Sequence, residues 1–127
     1  MLNHQLLDDE AILVLEPDGP LKAQDFEAVA AEVDPFIEKH DHLRGVMVES
    51  ESFPGWADLA SMAAHLKFVR NHHKKIERIA IVTDDNVMSH FPDIANHFVA
   101  AEVRHFPYVN KMDAYHWLSG KDVASKE

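Results

Sequence analysis

Short apolar runs alternate along the chain with stretches whose apolar residues recur every three or four positions. Such runs are typical of strands, and the three-and-four spacing is typical of a helix with one buried face. Strands are predicted at residues 11–15, 45–48, 79–82 and 102–106, with residues 2–7 as a hairpin partner of the first. The third run is apolar at every position, which places it inside the sheet, and the last is expected at an edge. Alternating strands and helices predict a mostly parallel sheet with helices packed against it.

The helical stretches predict four helices with defined buried positions. Pro35 is expected to kink or end the first, the second to begin near Trp56, and Pro92 to lie in the first turn of the third. The fourth spans residues 111–118, and the segment from Gly120 onward is expected to fray. The predicted buried positions are Phe26, Val29, Ala30, Val33 and Ile37 in the first helix, Leu59, Met62, Ala63, Leu66 and Val69 in the second, Phe91, Ile94, Ala95 and Phe98 in the third, and Ala114 and Leu118 in the fourth.

The composition is that of a folded globular protein rather than a disordered chain. Of the 127 residues, 46% are hydrophobic and 27% are charged, which predicts one folded domain over residues 1–127. There are 22 acidic and 12 basic residues, and the resulting charge of −10 is spread along the chain. Nucleic acids and anionic bilayers would be repelled by this charge, so neither is an expected partner.

Several missing features narrow the function further. The chain has no cysteine, and therefore no disulfide, thiolate nucleophile or cysteine-bound metal. No apolar run approaches the ~20 residues that span a bilayer, and the first residues lack the pattern of a signal peptide, so a cytoplasmic location is expected. The four glycines are not clustered into a phosphate-binding loop, so no cofactor is expected.

Five local patterns, in this order and spacing, resemble the SpoIIAA-like family, whose members are related to the STAS domains of anti-sigma-factor antagonists. They are residues 53–56, residues 66–68, residues 76–82 with Asp84, residues 101–104 with Phe106, and Ala114 with residues 117–118. The resemblance covers residues 10–119. It implies an α/β fold with a single four- to five-stranded, mostly parallel mixed sheet and about four helices. It implies no established enzymatic activity.

The chain departs from the antagonists at their regulatory serine. In those proteins a serine at the start of the helix after the middle strand is phosphorylated, whereas residues 53–58 of this chain carry no hydroxyl group. Ser50 and Ser52 lie earlier in the loop, each beside an acidic residue that would repel a phosphate. A partner-switching antagonist therefore remains an alternative in which Ser50 or Ser52 would have to be modified.

Ten histidines suggest a metal site or a catalytic triad, but their spacing argues against both. Asp58 and His65 share a helix face with Ser61, yet seven residues separate them, which is about 10.5 Å along a helix. The pairs 65/72 and 90/97 have the same separation, too long for two ligands of one zinc ion. These histidines are therefore expected to be solvated, with no metal and no catalytic residues.

The aromatic residues around the second helix are the most informative candidates. Phe68 lies opposite the predicted core face, and Phe53 and Trp56 flank the helix start, which favours either an apolar pocket or ordinary packing. Polar loops after the middle strands lie at the edge of the sheet where ligands usually bind. The candidate ligand-binding residues are Phe53, Gly55, Trp56, Phe68, Ser50, Ser52 and Asp84, the last of which also suits a turn or helix cap. A helix N-terminus nearby favours a ligand with a weakly acidic head.

Together these observations favour a non-catalytic module that binds a small apolar or lipid-like molecule or a protein partner. No constellation of residues supports an enzyme. The alternative is a STAS-type regulatory antagonist in a partner-switching circuit. The sequence leaves open which ligand or partner binds and whether the protein is a homo-oligomer.

Overall fold

A computed structural model describes residues 2–86, 88–97 and 99–120. Over these ranges the chain forms five strands and four α-helices, with short 3-10 turns before β4, α3 and α4. In chain order they are β1 (Leu2–Leu7), β2 (Ile12–Pro17), α1 (Ala23–His40), β3 (Leu43–Glu49), α2 (Leu59–His72), β4 (Ile76–Val82), α3 (Phe91–Ala95), β5 (Glu102–Phe106) and α4 (Lys111–Leu118).

The five strands form one mixed sheet in the order β1-β2-β3-β4-β5. β1 pairs with β2 as an antiparallel hairpin, and the other three pairings are parallel. The predicted architecture is confirmed, as are an interior position for β4, which lies between β3 and β5, and an edge position for β5. Parallel neighbours on both sides explain why β4 reads as a nearly continuous apolar run.

The sheet has helices on both faces. α4 packs Ala114 and Leu118 against buried residues of the sheet, as its sequence pattern predicts, and Trp117 joins them. At Gly45 on β3 this contact leaves no room for a side chain, because a Cβ atom there would lie 2.7 Å from Cδ2 of Leu118. α1 lies over the other face, where its buried residues join those of β2 and β3 in the main core.

α1 continues past Pro35 and ends at His40, so of the two outcomes predicted for this proline, a kink or an end, the end of the helix is wrong. Phe36 and Ile37, which follow the proline, pack against the main core. This burial stabilises the last turns of the helix despite the backbone hydrogen bond that a proline removes.

The predicted buried face of α2 is also wrong. Leu59 and Leu66 are 78% and 62% exposed, while Ser61 and His72 are buried and Phe68 packs against the main core. The helix begins at Leu59 after the N-cap residue Asp58, rather than near Trp56. α2 thus turns its aromatic and histidine face inward.

Two expectations concern parts of the chain that are not described. The predicted burial of Phe98, and of the side chain of Ile94, cannot be compared with the structure, because both lie outside the described atoms. The fraying expected after Gly120 concerns residues 121–127, which also lie outside the described residues. Within the described ranges, no helix combines the length and the apolar character that crossing a membrane requires.

Candidate ligand-binding pocket

A pocket of about 400 Å³ lies between α2, α3 and one face of the sheet. The closest neighbour of α2 is α1, and the pocket occupies space between α2 and the strands. The wall includes Leu15, Val46, Val48, Ile79, Ile81 and Val103 of the sheet, Phe26 and Val29 of α1, His65, Phe68, Val69 and His72 of α2, and Phe91 and Ala95 of α3. Its volume is within the usual range of small-molecule sites.

Phe68 forms the part of the wall that α2 contributes near its middle. Its ring lies 6.1 Å from that of Phe26 and stacks on His72 at 4.1 Å. The side chain is half-buried, with core residues on one side and the pocket on the other. Phe68, a predicted ligand-binding residue, thus lies in the wall of the pocket, although the sequence argument for it rested on the wrong core face of α2.

Trp56 is held in place by the loop before α2. The backbone N–H of Leu21 donates to the carbonyl of Gly55, and that of Ala57 donates to the carbonyl of Leu21, both at 2.8 Å. Gly55 adopts a φ of +82°, a left-handed conformation that glycine tolerates without strain. These contacts direct the Trp56 indole toward α2.

The Trp56 indole N–H donates to Nδ1 of His65 at 3.1 Å. The His65 ring also stacks on Phe26, with centroids 4.8 Å apart and planes 16° from parallel. Burial lowers the pKa of His65 below its ordinary value of 6.5. Since an indole N–H can only donate, Nδ1 must carry a lone pair, and His65 is neutral with its proton on Nε2.

His72 is enclosed at the other end of α2. Its Nδ1 lies 2.7 Å from the carbonyl oxygen of Phe68, and its Nε2 lies 2.7 Å from the Asp34 carboxylate on α1. The His72 side chain therefore links α2 to α1 through its hydrogen bond with Asp34. The expectation that the histidines of α2 are solvated is wrong for His65 and His72, because each has hydrogen-bond partners that compensate for burial.

The lowered pKa of His65 predicts a pH dependence of stability. Below about pH 6.5 the unfolded chain binds a proton at this site that the folded chain does not, so the free energy of unfolding should decrease as pH falls. One such group contributes a slope of at most about 1.4 kcal/mol per pH unit. Chemical denaturation between pH 5 and pH 8 should show a smaller slope in His65→Phe than in the wild type. Equal slopes in the two proteins would contradict the assignment.

The polar candidates lie in a separate network at the carboxyl edge of the sheet. The Ser50 hydroxyl donates to the carbonyl of Ser52, and Asp84 accepts from the backbone N–H of Tyr108 at 3.0 Å. Asp85, which the sequence analysis did not single out, accepts from the backbone N–H groups of Phe53 and Met88. These bonds connect the loops after β3, β4 and β5. None of the three polar candidates is among the described residues that line the pocket.

The aromatic candidates Phe53 and Trp56 lie next to the pocket. The rings of Phe53 and Trp56 meet edge to face at 4.9 Å, and Phe53 lies 6.2 Å from Phe91. Phe53 and Trp56 stand behind the lining residues His65 and Phe91 rather than lining the pocket themselves. They support its wall.

Asp58 and Ser61 form the N-cap of α2 and not part of a triad. The Ser61 hydroxyl and its backbone N–H both donate to Oδ1 of Asp58, at 2.7 and 2.8 Å, and these bonds lower the pKa of the Asp58 carboxyl. The acceptor nitrogen of His65 is occupied by Trp56, so it is not available to the Ser61 hydroxyl. A carboxylate already caps this N-terminus, which argues against the acidic ligand head that the sequence favoured. No group of three potential metal ligands occurs among the described residues.

Comparison with known proteins identifies the family. The model of the SpoIIAA-like family matches residues 12–119. The chain belongs to the SpoIIAA-like family. This membership, expected from the five local patterns, agrees with the five-stranded mixed sheet.

A solved SpoIIAA-like fold is similar to the chain over nearly its whole length. It is an uncharacterized protein of the DUF3478 family from Shewanella loihica PV-4, with 21% identity and a TM-score of 0.72, covering 93% of this chain and 92% of that one. At this identity the likeness extends to the fold. The chain has no significant match among curated proteins.

In this SpoIIAA-like chain, sequence reasoning missed His65, Phe26 and Asp85 as residues that build the site. A signal for the first was present, because Ser61, His65, Phe68 and His72 recur at spacings of three and four along α2. A histidine-rich face was interpreted as solvated because imidazole is polar. The face is nevertheless turned inward, because Nδ1 of His65 and both ring nitrogens of His72 have hydrogen-bond partners in the protein.

Proposed function

We propose that the protein is a non-catalytic module that binds one small, mostly apolar or lipid-like molecule in the pocket under α2. The observation that carries this proposal is the combination of a volume of about 400 Å³ with a wall made almost entirely of apolar side chains. Small-molecule sites usually combine such a wall with a few polar groups that orient the ligand.

The apolar wall of the pocket supports occupancy by a ligand. The pocket is partly open, so without a ligand this wall stays in contact with water, which costs about 25 cal/mol per Å² of apolar surface. Water compensates poorly, because each water molecule needs two to four polar partners and this wall offers few. An apolar molecule removes the cost by filling the space.

The alternative, a partner-switching antagonist, receives less support. Ser50 is buried and its hydroxyl donates to the carbonyl of Ser52, so a kinase would have to open the loop to reach it. Ser52 is exposed, but it precedes α2 by several residues. No hydroxyl group lies where the antagonists carry their phosphorylated serine.

A neutral fluorescent probe provides the direct test. N-phenyl-1-naphthylamine should bind the purified full chain saturably with one site per molecule. At a free concentration ten times its Kd, it should raise the free energy of unfolding by about 1.4 kcal/mol. Fluorescence titration and thermal unfolding measure the two effects independently. Failure of this probe and of other neutral apolar compounds to bind protein extracted free of endogenous lipid would contradict the proposal.

A further inference from the structure

His65 offers the pocket a hydrogen-bond donor whose position is fixed. Its Nδ1 accepts from Trp56, so the proton of the neutral ring is on Nε2. Nε2 has no hydrogen-bond partner among the described residues, and no fully buried side-chain nitrogen in that part of the chain lacks one. Nε2 therefore keeps some accessible surface, and His65 is one of the residues that line the pocket.

The other two histidines of the wall do not offer an equivalent group. Both nitrogens of His72 are occupied, one by the Phe68 carbonyl and one by Asp34. His73 accepts from the backbone N–H of Ala100 at 2.8 Å, and this bond is exposed to solvent. Water can therefore satisfy the remaining nitrogen of His73. His65 is the wall histidine whose tautomer is fixed by a protein partner and whose N–H has none among the described residues.

The charge of the wall limits which acceptor the donor can meet. The described residues of the wall include no lysine or arginine. A carboxylate or phosphate would lose its hydration there without a full countercharge, which is costly. A ketone, ester or amide oxygen loses much less.

We propose that His65 is the specificity-determining residue of the pocket, and that it selects apolar molecules carrying a neutral carbonyl oxygen, which accepts a hydrogen bond from Nε2–H. Trp56 acts as a positioning residue that fixes the tautomer, and Phe26 holds the plane of the ring by stacking. This inference rests on the proposed binding function and adds the chemical class of the ligand.

Two probes of nearly equal shape test the inference. Benzophenone and diphenylmethane differ only in a carbonyl in place of a methylene group, and both can displace N-phenyl-1-naphthylamine. Their ratio of affinities is measured in the wild type and in His65→Phe, which keeps an aromatic ring against Phe26 but removes the donor. Comparing ratios between proteins cancels the different hydration of the two probes. The ratio should shift against benzophenone by about 3- to 10-fold, the effect of one ordinary hydrogen bond.

His73→Phe is the matched control, because it removes a histidine from the same wall without touching the Trp56–His65 pair. It should keep the wild-type ratio. An unchanged ratio in His65→Phe, or a shift in His73→Phe instead, overturns the role of His65 while leaving the binding function intact. If neither probe nor N-phenyl-1-naphthylamine binds the wild type, the binding function itself is contradicted.

A measurement on the unaltered chain covers the case in which His65→Phe does not fold. Imidazole ¹⁵N spectra of the wild type should show His65 protonated at Nε2 and unprotonated at Nδ1. Benzophenone should move the Nε2 resonance, and diphenylmethane should leave it nearly unchanged. Protonation at Nδ1, or equal responses to the two probes, overturns the inference.

Discussion

Replacing Ala95 with phenylalanine should abolish ligand binding without destabilising the protein. Ala95 ends α3 and lines the pocket, so a phenyl ring there would occupy the space that a ligand needs. The affinity for N-phenyl-1-naphthylamine should fall by more than tenfold. The free energy of unfolding should stay unchanged or rise by about 1 kcal/mol, because filling an existing cavity adds contacts.

Loss of affinity without loss of stability distinguishes a binding pocket from a packed core. In a close-packed interior, a larger side chain forces strain that costs about 1–3 kcal/mol. Ala63→Phe is the matched control, since Ala63 lies exposed on the outer face of α2. It should change neither affinity nor stability appreciably. Marked destabilisation of Ala95→Phe would mean that the space under α2 is not available to a ring, and undiminished probe binding would mean that the ligand lies elsewhere.

The sheet and α4 could be predicted from the sequence because each of these elements has a single apolar pattern, which leaves no choice of buried face. β4 is flanked by parallel strands, so its residues are apolar without alternation. α4 presents one clear apolar stripe, and Ala114 and Leu118 are buried as expected. In both elements the local pattern and the tertiary environment agree.

α2 could not be oriented from its pattern because the helix has two plausible faces. The aliphatic face with Leu59 and Leu66 is the more hydrophobic one, yet it is exposed. The other face is buried because Trp56 and Asp34 supply hydrogen bonds to its histidines. Those partners come from a preceding loop and from α1, and periodicity within one helix carries no information about them.

Part of the candidate site could be predicted from the sequence, although the orientation of α2 could not. Phe53, Trp56 and Phe68 gather at the pocket because large aromatic side chains are stabilised by burial. Ser50 and Asp84 were placed correctly at the carboxyl edge of the sheet. Their hydrogen bonds go to neighbouring loops, however, and the sequence alone does not distinguish a loop contact from a ligand contact.

Phe68→Ala and Leu66→Ala together test which face of α2 is functional. Phe68 packs against the core and lines the pocket, so its truncation should lower the free energy of unfolding by about 2–3 kcal/mol, below the usual cost at a fully enclosed site. It should also weaken probe binding by about 1–3 kcal/mol, because the ligand loses apolar contact area. Leu66 is 62% exposed, so Leu66→Ala should stay within about 0.5 kcal/mol of the wild type in stability and leave the affinity unchanged.

The aliphatic pattern of α2 taken alone predicts the reverse order, with Leu66 as the core residue and Phe68 as the exposed one. Denaturant unfolding and probe titration of both variants therefore compare two orientations of the same helix. If Leu66→Ala is the more destabilising change, α2 packs with its leucines inward. His65 and Phe68 would then lie on the opposite face, and the pocket would lose the wall on which the proposed function depends. A loss of both stability and affinity confined to Phe68→Ala would leave the histidine and phenylalanine face as the one that meets the ligand.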